Sequence, residues 1–121
     1  MQTNRDLIEK LHTYTLVKEK DIVQSECNMG NMTFSDLRDV LIGKGKILEE
    51  DFEKKIYVAA IEAGVADMNV AIVAIQWTDS EKLYITAYAR EGLIKQHTAE
   101  KAIAKIKEQI KQSQYSQGEI Q

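Results

Sequence analysis

The chain has 121 residues, of which 44% are hydrophobic and 29% are charged, and this composition is typical of one globular domain. No apolar run approaches the roughly 20 residues of a membrane-spanning helix, and the first residues lack the apolar core of a secretory signal. The single cysteine excludes an internal disulfide and fits a reducing compartment. We therefore expect a cytoplasmic protein that forms a single domain over residues 1–121.

The formal net charge of −3 is unevenly distributed along the chain. Residues 1–89 carry ten Lys or Arg and 15 Asp or Glu, whereas residues 90–111 carry six and three. Nonspecific binding to nucleic acid requires several neutralised phosphates, so one mildly basic segment on an acidic body disfavours a nucleic acid as the partner. We interpret the lysines of this segment as the solvated face of a helix.

The first predicted element is a helix over about residues 4–15. Leu7, Ile8 and Leu11 follow one another at helical spacing and form its apolar face. The segment that follows, residues 17–26, fits a helical continuation, a short strand or a loop, and its pattern does not choose among them.

A second helix is predicted over residues 34–43. Thr33 and Asp36 before and within its first turn have the spacing of a capping box, with the shorter acid in place of glutamate. The sequence GKGK at 43–46 lacks the remaining parts of a phosphate-binding loop. We interpret it as the end of the helix followed by a flexible linker.

Residues 48–63 are predicted to form a third helix. Apolar residues recur there at steps of three and four, namely Leu48, Phe52, Ile56, Ala59 and Ala63. Acidic residues at its start suit the helix dipole, and Gly64 suits its carboxyl-terminal cap. A strand at residues 56–61 is the competing interpretation, because short apolar runs fit both structures. As a helix, the segment would bury Phe52, and Phe52→Ala would cost roughly 3–5 kcal/mol.

The last predicted helix spans residues 98–112. Its buried stripe consists of Ala99, Ala102, Ile103, Ile106 and Ile110. The polar residues that follow predict a frayed tail from about residue 113.

Between these helices, residues 70–90 predict an antiparallel hairpin, since two runs of branched and aromatic residues flank the turn sequence TDSE. A two- or four-residue loop places Trp77 on the face of the second strand that carries the tyrosines. A three- or five-residue loop moves Trp77 to the opposite, apolar face. In either register the second strand presents one face that comprises Tyr84, Thr86, Tyr88 and Arg90.

An isolated hairpin is only marginally stable, so the hairpin needs covering helices and a further strand. Residues 20–25, residues 56–61 or a second copy of the hairpin are the candidates for that strand. We predict an α+β fold, in which a small antiparallel sheet is built around the 70–90 hairpin and the helices pack mainly on one face.

No residue pattern indicates catalysis, a metal or a cofactor. His12 and His97 lack neighbours at metal-ligand spacing. Cys27, Met29 and Met32 are soft ligands within six residues, but such residues beside a core more often pack than bind copper. A nucleophilic site that used Cys27 would depend on partners that only the fold can supply. We expect no enzymatic activity, and we expect Cys27→Ser to leave the function intact.

The candidate contact residues are Trp77, Tyr84, Thr86, Tyr88 and Arg90, because Trp, Tyr and Arg are enriched at binding hot spots. The favoured interpretation is a small cytoplasmic interaction or regulatory protein that acts through protein–protein contacts, most simply as a homodimer. On this interpretation Tyr88→Glu would weaken self-association. The first alternative is a binding module that holds a small organic ligand between the hairpin and its helices. The second is an enzyme without a recognisable motif.

Overall fold

The computed structural model describes the backbone of residues 3–119 and the side chains of residues 5–113, and within these residues it contains three α-helices and five strands. The helices are α1 (Thr3–Tyr14), α2 (Phe34–Lys44) and α3 (Thr98–Glu119). The strands are β1 (Val23–Asn28), β2 (Gly45–Asp51), β3 (Ile56–Ala63), β4 (Asn69–Trp77) and β5 (Lys82–Ala89). All strands pair antiparallel in the order β1-β5-β4-β3-β2. The predicted α+β class is confirmed.

The predicted hairpin consists of β4 and β5, which lie inside the sheet rather than at its edge. Trp77 pairs with Leu83 and Ala71 pairs with Ala89, so residues 78–82 form a five-residue connection. Of the two registers left open by the sequence, this one directs Trp77 to the apolar face. The further strands are β1, which contains the second half of the candidate segment 20–25, and β3, which contains residues 56–61.

Helices cover both faces of the sheet. α2 and α3 pack on one face and form the larger part of the core. Their buried residues include Leu37, Val40, Leu41, Ala102, Ile103 and Ile106, which pack against Ala59, Ile61, Val73, Ile75 and Ile85. α1 lies on the opposite face, where Leu7 and Leu11 form a second cluster with strand residues. The helices thus pack mainly on one face, and α1 is the exception.

The predicted helix over residues 48–63 is wrong. This segment contains most of β2, a turn and the whole of β3, so the competing strand at residues 56–61 is the correct interpretation. The apolar spacing misled because β3 is covered on both faces, and its successive residues are almost all buried whichever way they point. Phe52 lies in the turn with 64% of its surface exposed, which removes the basis for a 3–5 kcal/mol cost of Phe52→Ala.

The predicted second helix is confirmed, with its capping box in place. The Asp36 N–H donates to Thr33 Oγ1 over 3.0 Å, and the Thr33 N–H donates to the Asp36 carboxylate over 2.9 Å. The flexible linker predicted at residues 43–46 is wrong, because α2 continues to Lys44 and β2 begins at Gly45. A side chain cannot fit at Gly45, since an added Cβ would lie 2.0 Å from the carbonyl oxygen of Ala60.

The ends of the remaining helices differ modestly from the predictions. α1 begins at Thr3 and ends at Tyr14, close to the predicted 4–15. The undecided segment 17–26 contains a 3-10 turn at Glu19–Asp21 and then the start of β1. α3 extends past the predicted end at 112, so the tail expected to fray from about residue 113 is helical as far as Glu119. The last two residues of the predicted tail, 120 and 121, lie outside the described part of the chain.

Hydrogen bonds and ion pairs join α1 to the edge strand β2. The Lys10 ammonium contacts the carboxylates of Glu49 and Asp51, at 3.0 Å from the latter, and the Tyr14 hydroxyl donates to Glu49 over 2.6 Å. The hydrogen bond with Glu49 is the main cause that raises the pKa of Lys10. The hydrogen bond from Lys10 lowers the pKa of Glu49, and the pKa of Asp51 is lowered first by the Lys54 N–H and then by Lys10.

Lys10→Met should lower the free energy of unfolding by about 1 kcal/mol near neutral pH, because the three charges are partly buried together. A lowered pKa means that the two acids stabilise the fold above their ordinary values of 4.5 and 3.8, and that this contribution is lost as the pH falls through the folded-state values. Lys10, with a raised pKa, contributes below 10.5 and loses its contribution at higher pH. Urea midpoints of wild type and variant should therefore differ more near pH 7 than near pH 3.

Lys101→Met is the matched control, since Lys101 is an exposed lysine of α3. It removes the same charge and should shift the midpoint little at either pH. An equal difference between Lys10→Met and wild type at both pH values would contradict this account.

Candidate functional site

The aromatic face predicted as a contact surface lies largely beneath α1. Thr86 is fully buried and Tyr88 is 5% exposed, while Tyr84 is half-buried against the same cluster. Because α1 already covers this face within one chain, the argument for a homodimer through it no longer holds. Tyr88→Glu would place a carboxylate under α1 and destabilise the chain itself, so it is not a clean test of association.

The five candidate contact residues are not brought together. Trp77 points to the opposite side of the sheet, where it packs against the larger core cluster and approaches Phe34 edge-on. Arg90, just beyond the end of β5, is exposed. Only Tyr84, Thr86 and Tyr88 share a face as predicted, and the Thr86 hydroxyl makes no hydrogen bond to any residue that the structure describes.

Three loops meet at the end of the sheet where β5 finishes. They comprise residues 15–22, 64–68 and 90–97, and together we call them the loop end. The Val65 N–H donates to Gln96 Oε1 over 3.0 Å, which joins the second loop to the third. Asn69, at the start of β4, donates through Nδ2 to the Arg90 carbonyl oxygen over 3.0 Å and to Thr98 Oγ1 over 2.9 Å. Side-chain hydrogen bonds thus fix the third loop against the sheet.

A cleft of about 1010 Å³ opens between the first and third of these loops. Val23, Tyr88 and Ala89 contribute apolar surface to it. Four cationic side chains also line it, namely Lys18, Lys20, Arg90 and Lys95. None of these four forms an ion pair with a carboxylate in the described part of the chain, in contrast to Arg5, Lys10, Arg38, Lys54, Lys82 and Lys105.

The acidic groups of the cleft are partly engaged elsewhere. Glu91 accepts hydrogen bonds from the backbone N–H groups of Gln96 and Thr98, at 2.6 and 2.9 Å, and so holds the start of α3. Burial alone would raise the pKa of Glu91, but these hydrogen bonds outweigh it and lower the pKa. Glu100 lies 3.8 Å from the imidazole of His97. Asp21 also lines the cleft, and its carboxylate forms no ion pair in the described part of the chain. Four cations thus face three carboxylates, which leaves the cleft a small excess of positive charge for an anionic group.

Strongly exposed apolar side chains are concentrated in the loop end, and one of them, Leu16, lines the cleft. Within the described residues, six large apolar side chains are more than 60% exposed, and five of them belong to the loop end. These five are Leu16, Val65, Met68, Leu93 and Ile94. Single exposed apolar residues are ordinary on a protein surface, but a group of them beside a cleft is typical of a contact site.

The residues considered for chemistry do not form a catalytic group. His12 bonds to Glu19 at 2.8 Å, and His97 lies near Glu100 at the cleft. Burial raises the pKa of the Cys27 thiol, which favours the neutral thiol over the nucleophilic thiolate. Within residues 3–119, no three His, Cys, Asp or Glu side chains are grouped so as to hold a metal ion.

The sequence contains an indication of the loop end that an analysis of helix and strand periodicity does not detect. Leu93 and Ile94 stand between Gly92 and Lys95, in a segment without helical or strand periodicity, and Leu16 lies just beyond the first helix. Bulky apolar residues next to lysines in a loop have no core to enter. Such residues indicate a contact surface.

Comparisons with protein-family models, with curated proteins and with solved structures found no match. Among residues 3–119, none of the helices combines the length and the apolar character that a membrane crossing requires.

Proposed function

We propose that the chain is a small non-enzymatic interaction protein of the cytoplasm, which binds an acidic, amphipathic segment of a partner protein at the loop end. The observation that supports the proposal most is that the loop end carries five exposed apolar side chains together with a cleft lined by four cations that form no ion pair in the described part of the chain. The free thiol of Cys27 fits the proposed compartment.

The two kinds of residue would make different contributions to binding. Leu16, Leu93 and Ile94 are almost fully exposed, and burying such a side chain contributes about 1.5–3 kcal/mol before the costs of association are counted. Lys18 and Lys95 would attract the acidic segment and set its orientation, because rim charges act mainly on association rate and specificity. We therefore expect salt to slow association more than it speeds dissociation.

A small organic anion bound in the cleft is the second candidate. The cleft is at the upper end of the volumes of about 300–1,000 Å³ that hold small ligands, and its lining includes Tyr88 and Arg90. Such a ligand would use the same cations but leave Leu93 and Ile94 uncovered, since neither residue lines the cleft. Variants of these two residues therefore distinguish the two candidates.

The test starts with partners captured from the native cell, followed by binding measurements with the purified partner and its acidic segment. Leu93→Ser combined with Ile94→Ser should weaken binding by about tenfold or more, because it removes two strongly exposed apolar side chains. Arg90→Glu combined with Lys95→Glu should weaken it similarly and reduce its salt dependence. Isothermal calorimetry and stopped-flow association at two salt concentrations provide the measurements.

Phe52→Ser is the control, since Phe52 is an exposed apolar residue, at 64%, in the turn between β2 and β3, away from the loop end. It should leave partner binding unchanged. Full binding by both loop-end variants would refute the proposal, whereas loss in the charge variant alone would favour the small anion. Sedimentation of the wild type belongs to the same test, because self-association that the Leu93 and Ile94 changes abolish would identify a second copy as the partner.

A further inference from the structure

A second feature lies at the opposite end of the sheet, where four aromatic rings are in contact. Phe34, at the start of α2, stacks on Tyr57 of β3 with ring centroids 4.3 Å apart and planes 15° apart. Phe52 and Trp77 are T-shaped to Phe34, with centroid distances of 6.0 and 6.1 Å and interplanar angles of 75° and 81°. We call these four residues the aromatic cluster.

The aromatic cluster already holds a cation. The Lys55 ammonium lies over the Phe34 ring, 5.3 Å from its centroid. Because Tyr57 stacks on one side of that ring, the ammonium must lie over the other side. Lys55 forms no ion pair with any carboxylate that the structure describes, so its ammonium is held by the negative face of the ring.

We propose that the aromatic cluster is a binding site for a quaternary ammonium group and that Lys55 is its resident, displaceable occupant. Phe34 already supplies one ring face to a cation, and Phe52 and Trp77 lie within about 6 Å of it at steep angles, so the cluster has three rings from which an aromatic cage for N-methylated cations can be built. A primary ammonium is compact and strongly hydrated, so it loses more hydration at a ring face than a methylated cation does. A ligand with methyl groups on nitrogen should therefore displace the lysine.

The frame of the site does not depend on the Lys55 side chain. The Trp77 N–H donates to the Lys55 carbonyl oxygen over 2.9 Å, and the Lys54 N–H donates to the Asp51 carboxylate over 3.0 Å, which together fix the turn. The Tyr57 hydroxyl donates to the Phe34 carbonyl oxygen over 3.0 Å and so fixes Phe34 against Tyr57. The Lys55 side chain can leave while these backbone contacts persist.

The site is open to solvent on the side from which a ligand would enter. Phe52 is 64% exposed and Lys55 is exposed, whereas Tyr57 is buried beneath the Phe34 ring. The ligand class is defined by its trimethylammonium group, which occurs both in choline-like small molecules and on trimethylated lysines of proteins. This site lies away from the loop end, and its test is independent of the function proposed above.

Trp77, the sole tryptophan of the chain, supplies the readout. Its fluorescence should change saturably on titration with tetramethylammonium, with choline and with a short peptide that carries one trimethyllysine. Lys55→Gln should tighten binding of each probe by about twofold to fivefold. The change removes the Lys55 ammonium, which competes with the probe for the Phe34 ring through one exposed cation–π contact. Phe52→Ala removes one ring and should weaken binding by about the same factor.

Lys54→Gln is the matched control, since it removes the neighbouring exposed lysine and leaves Lys55 in place. Far-UV circular dichroism checks that Phe52→Ala is folded. The proposal is overturned if Lys55→Gln binds no tighter than wild type, if Phe52→Ala binds as well as wild type, or if ammonium chloride matches tetramethylammonium. Affinity for choline equal to or above that for the trimethyllysine peptide would identify the free cation as the ligand, and tighter binding of the trimethyllysine peptide than of choline would identify a protein source.

Discussion

Gly45→Ala should destabilise the chain by about 3 kcal/mol, at the upper end of what overpacking costs. The added Cβ would lie 2.0 Å from the carbonyl oxygen and 2.9 Å from the carbonyl carbon of Ala60, with the Cα of Ile61 at 3.0 Å. These are backbone atoms of the paired strand β3, so relief requires the two strands to separate at the point where β2 begins. A urea denaturation midpoint that falls while the slope stays constant is the expected result.

Gly43→Ala provides the matched control two residues earlier. Gly43 lies inside α2, and an added Cβ there would meet nothing within 4 Å. Alanine is preferred over glycine in a helix by about 1 kcal/mol, so this variant should be as stable as wild type or more stable. Similar midpoints for the two variants would show that the close approach at Gly45 is not the cause.

Leu11→Ala should cost about 2–5 kcal/mol. Leu11 is fully buried between α1 and the sheet, and α1 rests on this face through Leu7 and Leu11. Truncation of one of the two leaves a cavity beside Tyr88 and weakens the attachment of the whole helix. For a domain whose total stability is about 5–15 kcal/mol, chemical denaturation should show a large loss.

Leu16→Ala makes the same chemical change at a side chain that is 93% exposed. Its free energy of unfolding should stay within about 0.5 kcal/mol of the wild-type value. The same variant should weaken the partner contact proposed at the loop end. Leu11→Ala therefore tests stability, and Leu16→Ala tests binding. Equal destabilisation by both variants would contradict the position of α1.

Local patterns predicted the elements that local interactions determine. The capping box of Thr33 and Asp36 marked the start of α2, and the TDSE turn between two branched runs marked the hairpin. Residues 48–63 could not be assigned in this way, because Ile56, Tyr57 and Val58 are buried in succession only when helices cover both faces of the sheet. Which faces are covered is a tertiary property that a short apolar run does not encode.

The candidate site was harder to predict for a related reason. Tyr84 and Tyr88 have the composition of a contact surface, but α1 also needed an apolar face to rest on, and the sequence does not say which face it takes. The loop end draws Leu16 and Leu93 from distant parts of the chain. Only the pairing of β1 with β5 brings their loops together, and no spacing within the sequence reports that proximity.

The strand order also has a kinetic consequence. β2 to β5 form a meander of successive hairpins, whereas Val23 of β1 pairs with Ala87, 64 positions along the chain (87 − 23). Closing so long a loop costs conformational entropy before the strand contacts can compensate for it. The meander should therefore form first, and the amino-terminal segment of α1 and β1 should dock late. Changes in α1 and β1 should then accelerate unfolding and leave the refolding rate nearly constant, which makes this segment the part of the molecule that determines how long the native state persists.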